Sequence, residues 1–242
     1  MVSSALPEYT VCESSRAKHL RLKLSLQKGL EVIVPVGFDR SRIPEILRKK
    51  KRWIQSAQRK IDQQAKFIIP ESDIVLPDHI PLRAIGENWR LHYQGGKARW
   101  AGAYENGADQ LLIRGNIEDK TACKAALKRW LARKARATLV PWLKQVGVDN
   151  SLKFNRFFIK CQKTRWASCS RHKSISLNLK LLFLPRDLVR YVFLHELCHT
   201  IYMNHSQKYW NLLASKEPGY IDLDQELRNA WRLVPSWVNK TK

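Results

Sequence analysis

Leu188-Val-Arg-Tyr-Val-Phe-Leu-His195-Glu196-Leu-Cys-His199-Thr-Ile-Tyr-Met-Asn-His205 is the stretch on which the reading of this chain turns. The apolar run ahead of His195 reads as a buried helix, and it leads into the pattern H-E-x-x-H. On a helix, residues four apart lie about 40° apart and roughly 6 Å along one face, so His195 and His199 can offer imidazole nitrogens to a single ion. The plainer account is a pair of polar residues facing solvent. The apolar run argues against it, because ionisable groups drawn into a core need a partner or a metal. Zinc takes four tetrahedral ligands and at a catalytic site keeps one position for water, so a third protein ligand is required, and His205 is the candidate. A straight helix would carry position 205 well round the cylinder, so the chain must leave the helix first. Asn204 tolerates the left-handed backbone that such an exit can use. Glu196 would then lie beside the ion as the base for its water.

Composition bounds the rest of the chain. Its 242 residues suit one large or two small domains, and nine tryptophans argue for packed structure. Lys plus Arg number 44 against 21 acids, a formal charge of +23 that would draw nucleic acid, nucleotides or another polyanion to a basic surface. Charge fixes the sign of such a partner and not its identity. Five cysteines without a paired spacing make no disulfide framework, so a reducing, cytoplasmic setting is expected. Cys198 should face the core, and Cys161 and Cys169 read as small buried thiols rather than metal ligands. No signal peptide opens the sequence and no apolar run reaches a membrane span, so a soluble chain with no membrane partner is expected.

Alternating apolar residues between Tyr9 and Val36 predict a hairpin turning at Lys28-Gly29. Asp39 or Ser41 then caps a predicted helix with Ile43, Ile46, Leu47, Ile54 and Ile61 on its inner face, running to about Lys66. Its outer face carries Arg48-Lys-Lys-Lys-Arg52 and Trp53. A connection from Pro70 to Pro81 precedes strands at 82–85, 88–93, 98–100 and 110–114, separated by Gly86, Gly95-Gly96 and Asn106-Gly107, which predicts an antiparallel meander. His79 and His92 stand alone in it and read as structural or exposed. Residues 122–146 predict a helix that Pro141 kinks, with Lys124, Lys128, Arg129, Arg133, Lys134 and Arg136 as the densest cationic face and the first place to look for a bound polyanion. Strands at 155–160 and 173–182 follow. Pro185 and Asp187 open the helix of the motif, which should run to about Tyr202; Ser206 caps the next one, burying Tyr209, Trp210 and Leu213; a last helix spans about 223–233.

Taken as a set, Arg165-Trp-Ala-Ser-Cys-Ser170, Ile175-Ser-Leu-Asn178, Pro185, Tyr191-Val-Phe-Leu-His-Glu-Leu-Cys-His199, Asn204-His-Ser206, Trp210 and Pro218-Gly-Tyr220 resemble the YgjP-like metallopeptidase family. Ser15-Arg-Ala-Lys18, Val34-Pro35 and Lys51-Arg-Trp-Ile54 extend the likeness over nearly the whole chain. The family usually carries glycine where this chain has Ala167, a small change for a turn to absorb. The resemblance implies an α+β fold with a zincin-like C-terminal catalytic domain at 117–242 and a β-rich N-terminal half at 1–116 that carries one long basic helix. It implies His195, His199 and His205 as Zn2+ ligands, Glu196 as general base and a protein or peptide substrate. A more distant likeness to SprT-type proteases, some of which act on DNA-bound proteins, sits beside the +23 charge.

Two other functions use the same residues. A metal-activated water on a basic surface could hydrolyse a nucleotide phosphoanhydride, although three histidines favour zinc over the carboxylate-held Mg2+ common in phosphoryl chemistry. A non-enzymatic nucleic-acid-binding protein with structural zinc would need a fourth protein ligand, and the motif offers none. Arg165 and Tyr202 are near the site in sequence as oxyanion stabilisers or as structural residues; Arg165 and Asn178 read better as structural.

Overall fold

The computed structural model describes residues 7–25, 29–65 and 75–238, the side chains of 60–65 aside. The turn at Lys28, the helix end near Lys66 and the start of the connection at Pro70 lie outside the described residues, as does the side chain of Ile61. The fold is α+β and divides into two compact units, Met1–Ile69 and Pro70–Lys242. The sequence reading drew its boundary after 116 instead. The strands between 79 and 115 pack on the helix that follows them: Ile80, Trp89, Leu91, Leu111 and Ile113 share one core with Leu127, Trp130 and Leu131.

In the first unit, β3 (Gly29–Val34) lies between β1 (Tyr9–Glu13) and β2 (Arg21–Ser25). It is antiparallel to β2, as a hairpin requires, and parallel to β1. Leu30, Val32 and Val34 pack with Ile43 and Leu47 of α1 (Ile43–Lys49) and Ile54 of α2 (Lys51–Ala65). The single helix expected here breaks at Lys50, whose φ and ψ are −96° and 8°. Arg48 would face Lys51 and Arg52 three and four residues on, and such like-charge pairs oppose a continuous turn. Asp39 accepts from the Ser41 backbone N–H at 3.0 Å, opening a short 3-10 turn ahead of α1.

In the second unit, β4 (His79–Leu82), β5 (Glu87–Gly95), β7 (Gln110–Gly115) and β6 (Ala101–Glu105) lie side by side in that order. The expected meander fails at one pairing, since β5 and β7 are parallel. β6 and β7 close a hairpin through Asn106-Gly107, and it swings so that β7 meets β5 and β6 becomes the edge. Gly115 permits this, because a Cβ there would lie 2.1 Å from the Trp100 carbonyl oxygen. Residues 83–85 form a 3-10 turn rather than a strand, ended by Gly86 at φ +69°, and the strand expected at 98–100 starts at Ala101.

α3 (Lys120–Asp149) is capped by Asp119, which accepts from Thr121 and Ala122 N–H, and it runs through Pro141 without ending. Its cationic face is partly engaged, although Arg129, Arg133 and Arg136 stay exposed. Arg129 and Arg133 donate at 2.9 and 3.1 Å to the carbonyls of Ala101 and Ala103, which point outward from the β6 edge. Lys134 meets Glu87 and Glu105 at 3.1 and 3.4 Å and lies 4.2 Å from the Trp89 ring centroid. Lys124 is buried, and Arg136 lies over Phe157. Helical periodicity counts charges on a face but does not show that the face packs on a sheet edge.

The remaining elements surround the motif. β10 (Ser174–Asn178) pairs parallel with β8 (Arg156–Lys160) and antiparallel with the short edge strand β9 (Ala167–Cys169). α4 (Arg186–Cys198) is almost wholly buried, with Phe193 edge-on to Trp142 at 5.1 Å. α5 (Gln207–Lys216) and α6 (Tyr220–Asn229) pack against it. α6 begins earlier than expected and gives way to a 3-10 turn at 230–233. All five cysteines are free; Cys198 is fully buried and Cys161 and Cys169 half-buried. Among the described residues no helix is long and apolar enough to cross a membrane.

Candidate metal centre

α4 ends at Cys198, four residues short of the expected Tyr202, and that early end brings His205 to the motif. Thr200 and Ile201 N–H turn back to the carbonyls of Leu197 and Cys198 at 2.9 and 3.0 Å, tightening the exit into an i to i+3 turn. No left-handed residue is used: among the described non-glycine residues only Ser151 and Lys173 have positive φ, so the role expected of Asn204 falls away. Ser206 stands at the cap position of α5 but its side chain makes no capping bond.

Three imidazoles converge as a result. The candidate ligand atoms of His195, His199 and His205 lie within 4.8 Å of one another, and the Nε2 atoms of His195 and His205 are 3.3 Å apart. A tetrahedron with metal–nitrogen bonds of about 2.0–2.1 Å has nitrogen–nitrogen edges of roughly 3.3–3.4 Å. The donor set therefore fits a metal ion. His199 Nδ1 lies 3.0 Å from the Tyr202 carbonyl oxygen; donating there fixes the proton on Nδ1 and turns Nε2 to the shared space. Burial and the neighbouring His199 and His205 push His195 down to about 3, and burial holds His199 below the usual histidine range. Both are thus neutral and have lone pairs to give.

Glu196 is 7% exposed, and its Oε2 has no hydrogen-bond partner. Burial pushes its carboxyl up to about 8, against the pull of the Cys169 backbone N–H and the Arg165 guanidinium. That N–H points outward from β9, since the neighbouring Ser170 uses its own to reach Ser174 on the hairpin side. A cation among the imidazoles would lower the carboxyl again. The residues missed by sequence reasoning are those that hold this geometry: Cys169, through its backbone, and the aromatic side chains of α5 and α6. Tyr209 stacks on His199 at 4.6 Å and donates to the His195 carbonyl at 3.2 Å. His205, Trp210 and Tyr220 form a column, with centroids 5.3 and 5.6 Å apart and ring planes tilted by 26° and 23°. Sequence periodicity had read Tyr209 and Trp210 only as core.

Asn178 is structural, as expected, and explains how β9 is held. Fully buried, it donates to the carbonyls of Gln162 and Arg165 at 3.0 and 2.8 Å and accepts from Lys180 N–H at 3.2 Å. Asn178→Leu would keep the branched outline and strand both carbonyls, so it should cost roughly 2–4 kcal/mol, read as a lowered Tm. An unchanged Tm would show that the loop ahead of β9 does not depend on this side chain.

Residues 18–230 match the profile of the YgjP-like family, metallopeptidase domain. Among solved structures, 37% of the chain is similar to the metallopeptidase zymogen of Pyrococcus abyssi abylysin, at 20% identity over 91% of that chain with a TM-score of 0.34. The metallopeptidase zymogen of Methanocaldococcus jannaschii jannalysin is similar over the same share, at 22% identity over 92% of its chain and a TM-score of 0.33. No curated protein matches.

Proposed function

The chain belongs to the YgjP-like metallopeptidase family and is a metal-dependent hydrolase of peptide bonds; from that premise we propose that the ion is zinc, that His195, His199 and His205 hold it, and that Glu196 is the general base. The observation that carries this is three imidazoles sharing one space beside a buried carboxylate with an unpartnered oxygen. When bound, the ion supplies Lewis acidity, lowering the pKa of water toward 7 and polarising the substrate carbonyl. Glu196 Oε2 takes the proton of the attacking water and returns it to the leaving nitrogen, while the Cys169 N–H steadies the carboxylate. The backbone groups of Ala167 and the Cys169 carbonyl turn away from β10, and an extended substrate lying along this edge would bring its carbonyl near Glu196, which the Cys169 N–H already holds.

The alternatives are not favoured. The candidate ligand group has three members among the described residues, whereas structural zinc wants four, and no carboxylate cluster suited to Mg2+ accompanies it. Metal analysis and hydrolysis of a peptide mixture test the reading: about one zinc per chain, with activity lost to a chelator and restored by zinc, is expected. Hydrolysis that persists after complete metal removal would overturn it.

We assign polyanion contact first to Arg48, Lys50, Lys51, Arg52 and Trp53, exposed around the break between α1 and α2, ahead of Arg129 and Arg133, whose guanidinium groups already serve the sheet edge. Exchanging Lys50, Lys51 and Arg52 for Glu should abolish salt-sensitive retention on single-stranded DNA, and unchanged retention would clear this face.

A further inference from the structure

Beside the candidate metal centre, α5 and α6 flank a shallow, open cleft of about 340 Å³ lined by Gln207, Trp210, Tyr220, Ile221, Asp224, Gln225 and Arg228. That is near the lower end of ligand pockets, roughly 300–1,000 Å³, and suits one large side chain better than a whole small molecule. Its position follows from the ring column: Trp210, which stacks on His205, also lines the cleft, so the cleft begins one ring away from a candidate ligand. A peptide whose carbonyl reached the metal would direct a neighbouring side chain here.

The walls decide what that side chain can be. Trp210 and Tyr220 form a continuous aromatic surface, and Ile221 stands 57% exposed at its margin, a large apolar residue with nothing over it. The two charges cancel. Arg228 donates through Nε and Nη2 to Asp224 Oδ2 at 3.2 and 2.6 Å, and Tyr191 donates to Asp224 Oδ1 at 3.2 Å. An acidic side chain would have to break the Arg228 fork, and a basic one would meet Arg228 within a chain of charge +23. Gln207 and Gln225 add neutral polar groups only.

We propose that this cleft is a substrate side-chain subsite next to the bond cleaved, and that it selects a bulky uncharged apolar residue, aromatic above all. It rests on the peptidase reading and deepens it. An aromatic ring there gains edge and face contacts with Tyr220 and Ile221 that a methyl group cannot make. Ile221→Glu puts a charge at the margin of the cleft without touching the imidazoles, and Ile221 is exposed enough for the fold to accept it.

The test has two arms on the zinc-loaded full chain. Cleavage of a peptide mixture should concentrate beside aromatic residues, and Ile221→Glu should lower kcat/KM for those peptides by about tenfold while sparing peptides with alanine there. Binding of two peptide hydroxamates, one with a benzyl and one with a methyl side chain, should favour benzyl by roughly tenfold or more, with the preference shrinking in the variant. Hydrolysis without an aromatic preference sensitive to Ile221 would overturn the subsite and leave the peptidase reading intact. No hydrolysis, with a benzyl preference that the variant loses, would uphold the subsite and count against the peptidase reading. No preference in either arm overturns the subsite.

Discussion

Glu196→Gln should bind metal like the native chain and lose peptide hydrolysis by on the order of 10²–10⁴-fold, the usual worth of a positioned general base. The amide has the carboxylate's shape, and its carbonyl oxygen can still accept the Cys169 N–H. What it lacks is the capacity to take a proton. The burial that leaves Oε2 without a partner keeps other bases from reaching the same place. The readout is kcat/KM on the best peptide together with metal content of the same preparation. Undiminished hydrolysis at full metal content would exclude Glu196 as the base.

His205→Ala should weaken metal binding by at least on the order of 10²-fold: zinc bound by a set of protein ligands is worth about 10–16 kcal/mol, so one ligand carries several. His205 is the informative choice among the three. It is exposed and lies outside α4, so its loss leaves the buried helix untouched, whereas His199 is buried against Tyr209. Competition with a chromophoric chelator measures the change, and thermal unfolding of the apoprotein controls for fold. Equal affinity in the two proteins would remove His205 from the ligand set.

Much of this was legible from spacing. His195 and His199 had to share a face once residues 188–194 were read as helix, and His205 was the histidine within reach. The manner of its approach was not legible, because ending a helix one turn early by i to i+3 bonds leaves no residue signature comparable to a left-handed Asn or Gly. Strand positions were read well where alternation was clean, as in β5 and β7, but pairing direction depends on how a hairpin swings, and only Gly115 hints at that. The boundary after 116 followed a change from strand to helix patterning. Domains divide where cores divide, and β4 to β7 use α3 as theirs. For a related reason the cationic stripe of α3 was legible as charge alone: that Arg129 and Arg133 also brace a sheet edge was not.

That engagement bears on how copies of the chain meet. The outward carbonyls of Ala101 and Ala103 are the acceptors through which a second molecule would extend the four-stranded sheet, and Arg129 and Arg133 already hold them. An incoming strand would have to displace two charge-assisted hydrogen bonds before making its own amide bonds there. The edge is thereby terminated with cations rather than with a proline or a bulge, and runaway association by strand addition is closed off on that side. Part of the chain's excess of arginine works as a guard against self-assembly.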